Sequence, residues 1–156
     1  YLSMTTIAIS CDHAGYRLKE YLVAELRLLG YEVLDLGTDS TERVDYPDFG
    51  VAVAHAVSNG IATEGVAICG SGIGIAMAAN KVPGIRAATV YNVESARLSK
   101  AHNNANVICF GERLIEAELA LESLQVWLEE EFEGGRHEVR IAKLDALGTD
   151  DTPNGI

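Results

Sequence analysis

Leu18, Leu22, Leu26 and Leu29 recur at helical spacing, with Lys19, Glu20, Glu25 and Arg27 on the other faces. This pattern predicts an amphipathic helix packed along one side. Ahead of it, Thr6 to Cys11 is an apolar run of strand length that ends in Asp12-His13-Ala14-Gly15. Gly30 is placed to close the helix as a left-handed cap. Tyr31 to Leu36 alternates and stops at Gly37, which predicts a second strand. The polar stretch Thr38 to Tyr46 is long enough to be a functional loop. Pro47 then opens a helix carrying Val51, Ala54 and Val57, and Tyr46 before it is expected to be extended.

Gly65 to Cys69 reads as a third strand that runs into Gly70-Ser71-Gly72-Ile73-Gly74 and an alanine-rich helix reaching about Lys81. Ile85 to Val90 predicts a fourth strand, Val93 to about His102 a helix, and Asn106 to Phe110 a fifth strand. Ala117, Ala120, Leu121, Leu124 and Trp127 mark a long helix expected to end at Gly134-Gly135. Arg136 to Leu147 predicts a last helix. Strands that alternate strictly with helices through short connections imply an α/β fold, a parallel sheet covered on both faces. With no repeat or linker in view, residues 4–148 are expected to form a single domain and residues 149–156 a polar tail. Tyr1-Leu2-Ser3 precede Met4, the expected true start, and read as a remnant.

Charge narrows the partners. Acidic residues outnumber basic ones, 23 to 12, for a net charge of −11. Without a Lys/Arg cluster to offset it, such a field disfavours nucleic acid. An anionic small molecule would need a local positive pocket. No apolar run approaches the roughly 20 residues of a membrane span, and no export signal is visible. The three cysteines, Cys11, Cys69 and Cys109, are odd in number and sit in or beside apolar runs. That fits reduced thiols in a cytoplasmic protein.

In open parallel sheets, ligands bind at the carboxyl ends of the strands. Strand one delivers Asp12 and His13 there, strand three Cys69 and the glycine turn, and strand five Glu112 and Arg113. The glycine turn lets backbone N–H groups converge at a helix start, where they stabilise a phosphate or a developing oxyanion. Taken alone, such a turn is also compatible with plain strand–helix packing. A dinucleotide fingerprint would want an acid at the tip of the next strand, but that region reads Ala88-Thr89-Val90-Tyr91-Asn92. A Gly-Lys-Ser/Thr phosphate loop is missing too. Cys69 stands at the mouth of the turn, a position that lowers a thiol's pKa. Free cysteine is usually a small buried hydrophobe, and that is the reading for Cys11 and Cys109.

His102 follows a helix and could be only a dipole partner. His55 reads as structural and His137 as undecided. The four histidines are scattered without metal-ligand spacing, so no metal site is expected. Arg136 and Arg140 are four apart on one helical face, a plausible phosphate clamp. The alternative is a salt bridge to Glu129-Glu130-Glu131, itself expected to be a solvated face.

These residues together resemble the type B ribose-5-phosphate isomerases, which form one superfamily with the galactose-6-phosphate isomerase subunits. The matching stretches are Cys11 to Gly15, Asp45-Tyr46-Pro47, Ile68 to Ile75, Ala78 to Lys81, His102 to Val107 and Glu133 to His137. They run in order from about Thr6 to Leu147. The resemblance implies a Rossmann-like three-layer sandwich around a five-stranded parallel sheet, in a homodimer or dimer of dimers with active sites between subunits. It implies interconversion of ribose 5-phosphate and ribulose 5-phosphate through a cis-enediolate, a step of the pentose phosphate pathway that needs no metal or organic cofactor.

Cys69 would take the C2 proton, and the backbone of Gly70, Ser71, Gly72, Ile73 and Gly74 would hold the enediolate. Ser71 stands where many relatives have threonine and supplies the same hydroxyl. His102 with Asp12 would assist ring opening. His13, Arg113, Arg136 and Arg140 would grip the phosphate, and Tyr46 and Asn103 would contact the sugar. One branch of the family replaces the cysteine and uses a glutamate just after the turn; Cys69 and Ile75 place this chain with the cysteine branch. Two alternatives stay open: a hexose 6-phosphate such as galactose or allose 6-phosphate as substrate, or a nucleotide-binding module.

Overall fold

The computed structural model describes residues 5–149. Residues 1–3, expected to be a remnant, and most of the expected polar tail, residues 150–156, lie outside the described residues. Five strands, β1 (Thr6–Cys11), β2 (Glu32–Asp35), β3 (Glu64–Cys69), β4 (Ala87–Thr89) and β5 (Val107–Gly111), form one sheet in the order β2-β1-β3-β5-β4. All four pairings are parallel. The helices between and after them are α1 (Tyr16–Leu28), α2 (Tyr46–Ser58), α3 (Ile73–Ala79), α4 (Val93–Ala101), α5 (Ala117–Glu129) and α6 (His137–Ala146). This is the expected α/β sandwich. The chain steps from β1 outward to β2 and then back across to β3, so β1 and β3 flank the point where strand order reverses. A crevice opens at such a point.

Side-chain size divides the two faces. Ile7, Ile9, Val66, Ile68, Ile108 and Phe110 point one way, onto Leu22, Leu26, Leu124 and Trp127 of α1 and α5. Their neighbours Ala8, Ala67, Cys69, Val107 and Cys109 point the other way, onto Val53, Ala54, Ile75 and Ala79 of α2 and α3. Small residues on the second face let α2 and α3 approach the sheet closely, and the Cys69 side chain falls on that face.

Several boundaries differ from expectation, and β2 and α6 are each trimmed at both ends; four other differences have a visible cause. Tyr46 is the first residue of α2 rather than an extended residue; Asp45 is the extended cap, at φ −95° and ψ 120°. The bias that a proline places on its predecessor is overridden by the contact of the Tyr46 ring with Gly74. The alanine-rich helix α3 stops at Ala79 because the Asn80 amide turns aside to pair with the backbone of Ala87, at 3.0 and 2.7 Å. β4 is shortened to Ala87–Thr89, since the Arg86 N–H is taken by the Asn106 side chain at 2.8 Å. α5 ends at Glu129, well before the glycines. Carboxylates crowded at the negative end of a helix disfavour its continuation, and the Glu133 N–H donates instead to the Ala101 carbonyl at 2.9 Å.

The end of α4 is fixed by a buried ion pair. Lys100 Nζ lies 2.6 Å from Glu64 Oε2 at the start of β3, donates to the Trp127 carbonyl at 2.9 Å, and sits 4.2 Å from the centre of the Trp127 ring. Burial pushes the Glu64 carboxyl above its ordinary value, with Lys100 pulling it back. Lys100→Met should therefore lower stability by about 3–5 kcal/mol, because it leaves Glu64 buried without its partner. Urea denaturation will read this, and adding Glu64→Gln should recover most of the loss.

Candidate active site

β3 delivers Cys69 into a turn that only glycine can make. Gly72 has φ 78°, and a Cβ there would stand 2.8 Å from the Phe110 carbonyl carbon and 2.9 Å from the Gly111 nitrogen. Both are backbone atoms with no room to yield. The turn aims the Gly72 N–H at Cys69 Sγ, 3.2 Å away. Ser71 Oγ accepts from the Ile73 N–H at 3.2 Å, which leaves its own proton free to donate. From the sheet edge, Thr89 Oγ1 donates to the Gly72 carbonyl at 2.6 Å and Tyr91 Oη to the Ser71 carbonyl at 3.4 Å.

Cys69 is 4% exposed, and its small opening faces a cleft of about 460 Å³. Asp12, His13, Tyr46, Gly70, Ser71, Ile73, Gly74 and Arg113 line the same cleft. Gly72 completes the turn in its wall. Asp12 is buried and caps a 3-10 turn at His13–Gly15; its Oδ1 accepts from Ala14 N at 2.9 Å and Gly15 N at 3.2 Å. His13 Nδ1 accepts the Val44 N–H at 3.2 Å. With Nδ1 occupied as an acceptor, Nε2 is the ring nitrogen left to donate to an anion. The Arg113 guanidinium lies over Gly70, where a Cβ would meet Nη1 at 2.7 Å, and it has no carboxylate partner among the described residues. The Tyr46 ring lies over Gly74 in the same manner, also at 2.7 Å.

The other two thiols do not reach the cleft. Burial pushes Cys11 up to about 12, and it pushes Cys109 higher still. Both are packed in the core, as expected of structural cysteines.

Four candidate residues are not in this cleft. α4 runs against the strands, so His102, which caps it, falls at the opposite edge of the sheet, near the Lys100–Glu64 pair. Asn103 lines a separate cavity of about 500 Å³ beside β4, with Lys81, Arg86, Leu144 and Asp145. That cavity is the larger of the two but holds no thiol or imidazole. Arg136 caps α6 and Arg140 follows one turn later; both are exposed. Among the described residues neither pairs with a carboxylate, so the expected alternative of a salt bridge to residues 129–131 is not realised. α6 buries only His137 and Ile141 against its own chain, and is tied down through Asp145 to Arg86 at 2.8 Å.

Two features escaped the sequence reading. Val44 acts through its backbone N–H, which leaves no side-chain signal. Ala14 and Leu114 also line the cleft, and only their adjacency to His13 and Arg113 hinted at it.

The Ribose/Galactose Isomerase family model matches residues 7–144. The chain belongs to that family. A curated relative, ribose-5-phosphate isomerase B of Escherichia coli, is 46% identical over 92% of this chain and 97% of its own length. The ribose-5-phosphate isomerase B structure from Clostridium thermocellum is 50% identical with a TM-score of 0.89, covering 90% of this chain and 95% of that one. That from Mycoplasma genitalium, with bound ribulose-5-phosphate, is 39% identical with a TM-score of 0.87, covering 92% and 96%.

The contrast among the thiols has a direct consequence. Iodoacetamide applied to the native protein at pH 8 should add once per chain, at Cys69. Peptide mass spectrometry will locate the adduct, and modification of Cys11 or Cys109 before unfolding would contradict the burial described here.

Proposed function

We propose that this chain interconverts ribose 5-phosphate and ribulose 5-phosphate in the cytoplasm, with Cys69 as the base. The observation that carries this reading is a sulfur oriented by the Gly72 amide at 3.2 Å, on the wall of a cleft lined by Arg113 and His13. The names of the relatives favour this five-carbon substrate over a hexose 6-phosphate or a nucleotide.

The sugar ring opens first, with Asp12 and His102 moving the proton between the ring oxygen and the C1 hydroxyl. The Cys69 thiolate then takes the proton from C2, and the electron pair moves through the new C1–C2 double bond onto the C1 oxygen. The resulting cis-enediolate is held by N–H groups of the 70–74 turn and by the free Ser71 proton. Gly72 is the exception, because its N–H is committed to the sulfur. The C2 hydroxyl passes its proton to the C1 oxygen, Cys69 returns the carbon-bound proton to C1, and the electron pair left on the C2 oxygen closes the carbonyl at C2. Each oxyanion donor of this kind is worth about 100- to 1000-fold in rate. His13 and Arg113 grip the phosphate, and this remote binding positions the reacting carbons.

The placement of His102, Asn103, Arg136 and Arg140 at the far edge of the sheet supports a site completed by a second copy of the chain. In a two-fold pair each cleft would receive these four residues from its neighbour. The active unit is then a homodimer or a dimer of dimers. Exposed Val139, Leu144 and Leu147 on and just after α6 offer apolar surface for that contact.

Cys69→Ala should lower kcat by about 100- to 10,000-fold while a phosphate-bearing inhibitor still binds. In deuterated water the wild-type product should carry solvent deuterium; near-normal turnover of the variant would refute the assignment of the base. A mixing experiment addresses the shared site. Cys69→Ala and His102→Ala chains, each inactive alone, should regain about a quarter of wild-type activity after dissociation and random re-pairing. Continued inactivity of folded mixed dimers would mean that each site is built within one chain.

A further inference from the structure

At the edge of the sheet remote from Cys69, three side chains that are distant in sequence converge. Glu133 Oε1 lies 3.6 Å from His102 Nε2 and 3.7 Å from His137 Nε2. The three ligand atoms all fall within 4.8 Å of one another. The fold makes this meeting in three steps. The Lys100–Glu64 pair anchors the end of α4, and so His102. The Glu133 N–H bond to Ala101 brings the segment after α5 across that end. α6 then begins at His137 and stacks its ring on His102, with centroids 4.4 Å apart and planes at 17°.

None of the three contacts is a hydrogen bond at these distances. His137 is 6% exposed, and its Nε2 is buried without a hydrogen-bond partner while facing the Glu133 carboxylate. A buried imidazole nitrogen without a partner is costly. Two imidazole nitrogens and one carboxylate oxygen form a donor set suited to a borderline transition metal ion. Tetrahedral zinc bound to such donors sets them about 3.4 Å apart. The two nitrogen–oxygen separations are already within a few tenths of an ångström of that. Closing the pair of nitrogens requires the half-exposed His102 ring to swing out of the stack. Burial, and then Arg136, hold His137 below its ordinary value. Arg136 and Arg140 oppose an added cation, and the net charge of −11 favours it.

We propose that His102, Glu133 and His137 form a binding site for one divalent transition metal ion per chain, of the zinc type. The ion would occupy three protein ligands and leave its remaining position to water. Filling the site removes His102 from any contact with substrate, a consequence that rests on the ring-opening role assigned above. The ion is then a reversible inhibitor and takes no part in the isomerisation.

The test is binding of zinc chloride to the intact, metal-stripped protein without substrate, followed by isothermal titration calorimetry. One ion per chain should bind. Glu133→Gln and His137→Asn should each weaken binding by at least about tenfold, while Cys69→Ser should leave it unchanged. Glu133 is exposed, so its variant keeps the test valid if His137→Asn fails to fold. Loss of binding in Cys69→Ser, or undiminished binding in folded Glu133→Gln, would overturn the proposal. So would the absence of a saturable site in the wild type. Because no turnover is measured, these outcomes are independent of whether the chain isomerises a sugar phosphate.

Discussion

The Gly72 amide bonded to the Cys69 sulfur is the constraint on which the rest of the site depends. It requires a residue at φ 78° with no side chain, pressed against the backbone where β5 ends. Those demands hold the β3–α3 turn in one shape. The same shape exposes Ser71 and Gly74 to the cleft and sets Gly70 beneath Arg113. Without this turn, the strand ends would still form a crevice, but the sulfur in it would have no defined direction.

The two ends of the sheet divide the chemistry. The carboxyl ends of β1 and β3 carry the thiol, the capping aspartate and a histidine oriented by the Val44 amide. The opposite edge carries His102 and His137, an asparagine, and two arginines without a carboxylate partner among the described residues. Strand and helix polarity dictates this: a residue ending a helix cannot lie beside one ending a strand in the same parallel sheet. Sequence order therefore brings His102 into the same motif set as Cys69 without bringing it into the same cleft.

Most of the architecture was legible because it depends on local periodicity. Leu18, Leu22 and Leu26 of α1 and the apolar runs of β1, β3 and β5 correspond directly to the layers that bury them, whereas Leu29 caps the helix and is exposed. The cleft was legible because strand ends and glycine turns are local signals with a known place in this kind of sheet. What could not be read were boundaries set by distant partners. α5 stops where Ala101 competes for the Glu133 amide, and α3 stops where Asn80 finds Ala87. The His102–Glu133–His137 cluster has no spacing signature at all, because its members meet only after α4, α5 and α6 have docked.

The unequal faces of the sheet bear on how this chain tolerates change. On the side of Trp127 and Phe110, bulky side chains interdigitate, and a lost methylene leaves a gap that neighbours can partly fill. On the side of Ala67, Ala54 and Ala79 the helices ride almost on the backbone, and an added methyl group has nowhere to go but into the tilt of α3. Evolutionary drift at these inconspicuous alanines, far from any solvent, would be felt at the sulfur sooner than drift among the charged residues that ring the cleft mouth.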